Sequence, residues 1–206
     1  MKIIANADDP LIAFLGKVVA SRPGLEAGIW DTGIGNSGTR PGLEARVSYF
    51  GLDDADQFQK KMEHATDSTF CLNCGGRLSY EGIYYSHIGI WYCAKCKEKR
   101  PIPDVSDWKS PLPGLYNQYN TLAAVSVAKA LHIKDKDIQT SLSTFQPAFG
   151  RQEEFVINGK KIRIFLSKNP AGFNQSLRTV IELGGQQMLL VLNDRIPDGR
   201  DVSWIW

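Results

Sequence analysis

The first apolar run, Lys2 to Ala5, ends in Asn6-Ala7-Asp8-Asp9-Pro10. A short run bounded in this way predicts a buried strand whose carboxyl end delivers polar residues into a turn, with Pro10 opening a helix to about Gly16. Asp8 and Asp9 then fit either of two roles, helix N-cap or ligand for a nucleotide or ion. Alternation from Arg46 to Phe50 predicts a second strand. Leu78 to Trp91 is rich in Tyr and Ile and is broken at Glu81-Gly82 and at His87, as paired strands would be. Helices are predicted at Thr121–Leu131, where Ala123, Ala124 and Ala128 let the helix lie close against a sheet, and at Asp135–Ser143. Glu154–Ile157 and Lys161–Leu166 flank Asn158-Gly159, the pairing that a two-residue hairpin turn favours. Ser167 to Gly172 reads as a loop before a helix at about Phe173–Leu183, and Gln187 to Leu192 as a buried parallel-type strand. Interleaved strands and helices define an α/β chain, with a boundary between two units near 145–152. Acids at predicted strand ends (Asp8, Asp9, Asp194, Asp198, Asp201) lie where such folds place ligands.

Residues 17–45 have a different texture, rich in Gly and Pro. Arg22-Pro23-Gly24-Leu25-Glu26-Ala27 recurs as Arg40-Pro41-Gly42-Leu43-Glu44-Ala45, which reads as a surface insertion made by local duplication. Between the copies, Gly33, Gly35 and Gly38 have the spacing of a dinucleotide or phosphate loop. Thr39-Arg40 stand where a P-loop needs Lys-Ser/Thr, and Pro41-Gly42 deny the helix that either motif must open. No phosphate site is expected there.

The only four cysteines form two pairs, Cys71-Leu72-Asn73-Cys74 and Cys93-Ala94-Lys95-Cys96, with a hairpin's length between them. Two such knuckles facing each other predict a closed tetrahedral zinc site in a ribbon at 67–101. Two disulfides or a redox pair are the alternatives, disfavoured by the absence of a secretory segment and by the doubled motif. With sulfur at all four positions the zinc is structural. The aromatics between the knuckles either pack a small ribbon core or form a base-stacking platform. His64 and His87 have no partner at ligand spacing and are expected at the surface. A net charge of +2 does not by itself argue for nucleic acid. The basic cluster Lys95, Lys97, Lys99 and Arg100 nevertheless keeps a second reading open, a free-standing zinc-ribbon module that binds nucleic acid or protein. No apolar run is long enough to span a membrane, and the expected compartment is cytoplasmic.

Asn117 and Asn120 lie three apart at the start of the Thr121 helix, where carboxamides can read a nucleobase or cap the helix. Arg151 ends an aromatic-flanked loop, Phe145 to Gly150, as a planar cation suited to phosphate or ribose. Gly114-Leu115-Tyr116-Asn117-Gln118-Tyr119-Asn120-Thr121-Leu122-Ala123-Ala124 resembles the Gly-x-His-Asn-x-x-Asn-x-x-Ala-Ala motif of the Mur ligases, which join amino acids to peptidoglycan precursors using ATP. Asn6 to Pro10, Gly150-Arg151 with Glu153, and Lys168-Asn169-Pro170 follow in the family's order. The inserted four-cysteine ribbon and the ending Leu192 to Trp206 resemble in particular the branch that serves as the ligase-like subunit of a lipid II amidating enzyme.

That resemblance implies part of a Mur ligase central ATPase domain at 1–66 and 102–146, the inserted ribbon at 67–101, and the start of a Rossmann-like C-terminal domain at 147–206. It implies ATP- and Mg2+-dependent activation of the D-glutamate α-carboxyl of lipid II, and amidation by ammonia from a GatD-like glutaminase. Asn117 and Asn120 would meet adenine, Arg151 the ribose or phosphate, and Lys168 the reacting phosphate; no residue is marked as catalytic. Tyr116 stands where the family has His, and Asp201 is the nearest aspartate that could complete the partner's triad. The family's Lys-Thr phosphate loop is not found, so the resemblance points to an interior or N-terminally truncated piece, inactive alone.

Overall fold

A computed structural model describes residues 2–21, 46–59, 68–147, 151–185 and 187–191. The duplicated stretch beyond residue 21 with its glycine loop at 33–38, His64, and the acids Asp194, Asp198 and Asp201 lie outside the described residues.

β1 (Lys2–Asn6) and β2 (Arg46–Phe50) pair in parallel, Lys2 opposite Arg46 and Asn6 opposite Phe50, and a bridge from Phe50 to Val105 continues the parallel order. α1 (Pro10–Ser21) outruns its expected end at Gly16. Gly16 is a packing position rather than a stop: a Cβ there would lie 3.1 Å from Tyr49 Oη and 3.3 Å from Val47 Cγ1, so the helix rests directly on the sheet. Asp9 starts it, its Oδ1 accepting from the N–H groups of Leu11 (2.9 Å) and Ile12 (3.2 Å). Of the two roles open to Asp9, the structure displays the cap.

β3 (Leu78–Tyr85) and β4 (Ile88–Cys93) form an antiparallel hairpin between the two cysteine pairs. α2 (Leu115–Ala130) starts six positions before the expected Thr121. Tertiary contacts hold that early turn: Gln118 accepts from Ser110 N–H (2.9 Å) and donates to Trp108 O, and Leu115 is buried. Of the three alanines, Ala128 packs against the core but Ala124 is exposed. α3 (Asp135–Ser143) follows, then β5 (Arg151–Ile157) and β6 (Lys160–Phe165), joined by Asn158 (φ 50°) and Gly159 (φ 75°), the left-handed pair that a type I′ turn demands. α4 (Pro170–Glu182) begins inside the expected loop, with Asn169 Oδ1 accepting from Gly172 N–H at 2.7 Å and Pro170 in the first turn.

The main core joins Leu52, Val105, Leu115, Tyr119, Leu122, Val125 and Ile138 to Tyr84 and Ile88 of the hairpin. The hairpin aromatics divide: Trp91 and Tyr80 pack beside Leu78 and the cysteines, whereas Tyr84 is fully buried in the main core, its hydroxyl donates to Leu52 O (2.9 Å), and Tyr84 and Tyr85 meet the Tyr119 ring edge-on. An aromatic ring buries more apolar surface than a two-stranded hairpin can cover, so it is finished by the neighbouring helix. A second cluster joins Cys71, Leu78, Trp91 and Cys93 to Ala13 of α1.

Of the strand predicted at 187–192, the described residues 187–191 are not paired as a strand. Residues 187–191 have no regular structure, and Leu189 and Val191 are 87% and 80% exposed. A parallel strand needs a neighbour for its backbone groups, and β5 and β6 pair only with each other among the described residues. The expected Rossmann-like parallel sheet is thus not among the described residues of the C-terminal part. No described helix is long and apolar enough to cross a membrane.

Candidate metal centre and ligand-binding junction

The two cysteine knuckles share one backbone plan. Cys71 N–H donates to Gly76 O (2.7 Å) and Gly75 N–H returns to Cys71 O (2.7 Å); Cys93 N–H donates to Glu98 O (2.7 Å) and Lys97 N–H returns to Cys93 O (2.9 Å). The fifth residue of each is left-handed, Gly75 at φ 69° and Lys97 at φ 64°. Glycine suits that position; lysine occupies it under strain. The four sulfurs lie within 4.8 Å of one another, with Cys71–Cys96 and Cys74–Cys93 both at 3.6 Å. A tetrahedron with Zn–S bonds of about 2.3 Å sets sulfurs roughly 3.8 Å apart, so the cluster fits a zinc ion and forms no disulfide. Burial pushes the Cys71 thiol up to about 11, whereas the Glu98 N–H first, and the neighbouring thiols, draw Cys96 down to about 6. Cys71, Cys74, Cys93 and Cys96 would hold the metal with no open position for chemistry.

The sequence reading missed the hub at the end of β1. Asp8 is completely buried and accepts from Leu52 N–H (2.8 Å), Arg100 Nε (2.5 Å) and Tyr119 Oη (2.6 Å). Burial lifts the Asp8 carboxyl above its ordinary range against those three donors, and Arg100 is raised by the carboxylates of Asp8 and Asp53 despite its own desolvation. Gly51 is required here, because a Cβ would run into the Asp8 carboxylate. Arg100 is therefore no member of a basic surface: it also reaches Asp53 (3.0 Å) and Leu52 O (2.5 Å). Lys97 serves a knuckle turn through its backbone and Lys95 Nζ donates to Cys74 O (3.3 Å), while Lys95, Lys97 and Lys99 remain exposed. His87 is not a free surface residue either; its Nε2 lies 3.5 Å from Asp9 Oδ2, with both side chains mostly buried.

The second junction forms where α2 begins. Gly114 (φ 95°) precedes the helix, and a Cβ on it would sit 2.5 Å from Thr179 Oγ1 of α4. Asn117 is buried, and its Nδ2 donates to Pro113 O at 2.7 Å. The same carbonyl accepts from Gln152 Nε2 at 2.8 Å, and that amide also reaches Tyr116 Oη at 2.5 Å. The strand that carries Arg151 is thereby stitched to the first turn of the asparagine motif. Arg151 pairs with Phe165 through its backbone; its side chain lies outside the described residues. Asn120 is exposed one turn along from Asn117, and Lys168 is exposed just before the α4 cap. The two asparagines are thus not equivalent, one scaffolding the turn and one open. Arg178 of α4 adds a tie, donating to Tyr84 O at 3.1 Å.

The described α/β architecture is similar to part of a Mur-ligase-like peptide ligase. A pseudomurein peptide ligase type C from Methanothermus fervidus superposes with a TM-score of 0.61 and 28% identity, over 86% of this chain and 34% of that one. Residues 166–206 match the MurT ligase C-terminal family. The lipid II isoglutaminyl synthase (glutamine-hydrolyzing) subunit MurT of Staphylococcus aureus (strain COL) is 31% identical, over 100% of this chain and 45% of its own length. The subunit of that name from Streptococcus pneumoniae (strain ATCC BAA-255 / R6) is 31% identical over 81% of this chain and 42% of its length. The resemblance to MurT, first read from the asparagine motif and the four cysteines, is shown; the chain spans about half the length of the curated relatives it matches.

Proposed function

We propose that this chain is part of the ligase-like subunit of an enzyme that amidates the D-glutamate α-carboxyl of lipid II to D-isoglutamine. Similarity to lipid II isoglutaminyl synthase subunits, along the whole chain in one and 81% of it in the other, supports the reading. The observation that carries it is the shared carbonyl of Pro113, which gathers Asn117 and Gln152 and so brings the asparagine motif beside the strand of Arg151.

In the proposed reaction the α-carboxylate oxygen attacks the γ-phosphorus of ATP and ADP leaves, giving an acyl phosphate. Ammonia from a GatD-like glutaminase then attacks the acyl carbon, inorganic phosphate departs, and the nitrogen loses a proton. Asn120, exposed on the second turn of α2, is the carboxamide open to the adenine edge, while Asn117 holds the turn. Arg151 is assigned to the ribose or phosphate, and Lys168, at the mouth of α4, to charge on the transferring phosphoryl group. Mg2+ would neutralise the phosphates. The four thiolates hold structural zinc. Lipid II presents its peptide at the membrane surface, and the proposed compartment is the cytoplasm, where ATP is available.

The test pairs the full-length protein with its glutaminase and follows conversion of carboxyl to carboxamide in lipid II by mass spectrometry. Asn120→Ala and Arg151→Ala should raise the KM for MgATP at least tenfold, the cost of a lost hydrogen bond to a charged or buried group. Wild-type KM in both variants would sink the site assignment, and absence of amidation would sink the reaction. The 206-residue chain by itself is proposed to turn over neither ATP nor lipid II, since it lacks a Lys-Thr phosphate loop.

A further inference from the structure

We infer that Gln152 is a positioning residue for the nucleotide, setting Arg151 in register with the first turn of α2; this rests on the nucleotide-site reading above. The register of β5 against β6 slips between Arg151 and Glu153, so Gln152 is the extra residue of a bulge. Its φ is 61°, a left-handed conformation that a bulge ordinarily gives to glycine. The residue is only 5% exposed, and its amide oxygen Oε1 is buried with no hydrogen-bond partner among the described residues. A strained backbone and an unmet buried acceptor are both unfavourable locally, so the arrangement is held by what the other end of the amide does.

That end is Nε2, which donates to Pro113 O and to Tyr116 Oη, the residue before Asn117. Pro113 O is the acceptor that Asn117 Nδ2 also uses. One carbonyl therefore fixes the asparagine turn and the bulge together. The next residue back is Arg151, whose backbone the bulge sets, and β6 leads from its partner Phe165 to Lys168. The proposed phosphate-side cation Arg151 thus takes its place relative to the asparagine motif from the Gln152 amide, whereas Lys168 is also placed by α4, which packs on Gly114. A glycine at 152 would satisfy the backbone better and leave this link unmade.

The experiment measures KM for MgATP, kcat for amidation and thermal melting in the full-length protein with its glutaminase. It compares Gln152→Gly, Gln152→Glu, Arg151→Ala and the double variant Gln152→Gly/Arg151→Ala. Gln152→Gly should raise KM about tenfold, as loss of one well-placed contact to a charged group does. Its kcat should change less than KM, and its melting temperature should not fall, since glycine relieves the left-handed backbone. Gln152→Glu, which keeps the length but not the N–H donor, should match it in KM. In the double variant Gln152→Gly should add nothing to Arg151→Ala, because it acts through that residue. Additive losses, an unchanged KM, or a wild-type KM in Gln152→Glu each overturn the inference. If Arg151→Ala raises KM while Gln152→Gly does not, this inference alone fails. If the wild-type protein does not use ATP, the nucleotide-site reading and this inference fail together.

Discussion

Among the described residues are two antiparallel hairpins of similar size, and they end in opposite environments. In β3–β4, Tyr84, Trp91 and Ile88 are 0%, 4% and 6% exposed. In β5–β6, Val156, Ile157 and Ile164 are 68%, 54% and 45% exposed. Both have a turn of two residues and an irregular register, so strand pairing does not separate them. What separates them is closure. The first is gripped at its open end by the cysteine knuckles and over its body by α2, whereas the second, among the described residues, is tied to α2 and Pro113 through the side chain of Gln152. A two-stranded hairpin has little stability of its own, and its place in the structure is set by what lies against its faces.

The largest effect that would sharpen the contrast is loss of the metal. Cys93→Ser should abolish stoichiometric zinc in elemental analysis and strip hydrogen-exchange protection from β3–β4 while changing β5–β6 least. Structural zinc in small folded units is worth about 10–16 kcal/mol, so no other substitution should approach it. Metal-free wild-type protein with the hairpin intact would break the comparison. Next in size, Tyr84→Ala should destabilise by about 3–5 kcal/mol in chemical denaturation, the range of large buried aromatic truncations. Val156→Ala in the other hairpin should stay within about 0.5 kcal/mol; similar costs at the two sites would refute the closure argument.

A smaller effect is read from acid titration at the tip of the first hairpin. Burial acts to lift Asp9, but the His87 contact and the N–H groups of Ile12 and Leu11 prevail and hold it below its ordinary 3.8. Its stabilising contribution is present above pH 3.8 and is lost as pH falls through the lower folded value. Asp9→Asn keeps an N-cap acceptor and removes the titration, so acid unfolding should flatten in that interval. Asp8 works in the opposite sense, its raised value removing stability as pH climbs from 3.8. The smallest effect is a gain: Lys97→Gly should stabilise the second knuckle by up to about 1 kcal/mol, by relieving its left-handed backbone. Gly75→Lys, the mirror change, should destabilise the first by a similar margin.

The features legible in the sequence were those that repeat or punctuate. Cysteine spacing marked the metal cluster, Asn158-Gly159 marked its turn, Asp9-Pro10 marked the start of α1, and Asp135–Ser143 stood out by its apolar spacing. What escaped notice depends on single contacts between distant residues. Asp8 meets Arg100 and Tyr119 from 92 and 111 positions away, and no local pattern announces such a triad. Arg100 looked like one more cation in a basic run, although its guanidinium is inside. Gln152 is invisible for the same reason, since its significance lies in the carbonyl of Pro113, 39 positions earlier. The strand expected at 187–192 is the converse: an apolar run predicts burial, but none of the described residues pairs with 187–191.

Trp91 gives the ribbon an optical consequence. Its indole lies within the cysteine cluster, only two residues before Cys93, and donates from Nε1 to Ala7 O at 2.9 Å. A buried, hydrogen-bonded indole emits to the blue of one in water. When the knuckles open, that ring loses its apolar walls and its carbonyl together, and its emission moves red and dims under aqueous quenchers. In a variant that keeps Trp91 as the sole tryptophan, fluorescence colour becomes a direct gauge of whether the knuckles are closed, readable without adding a dye.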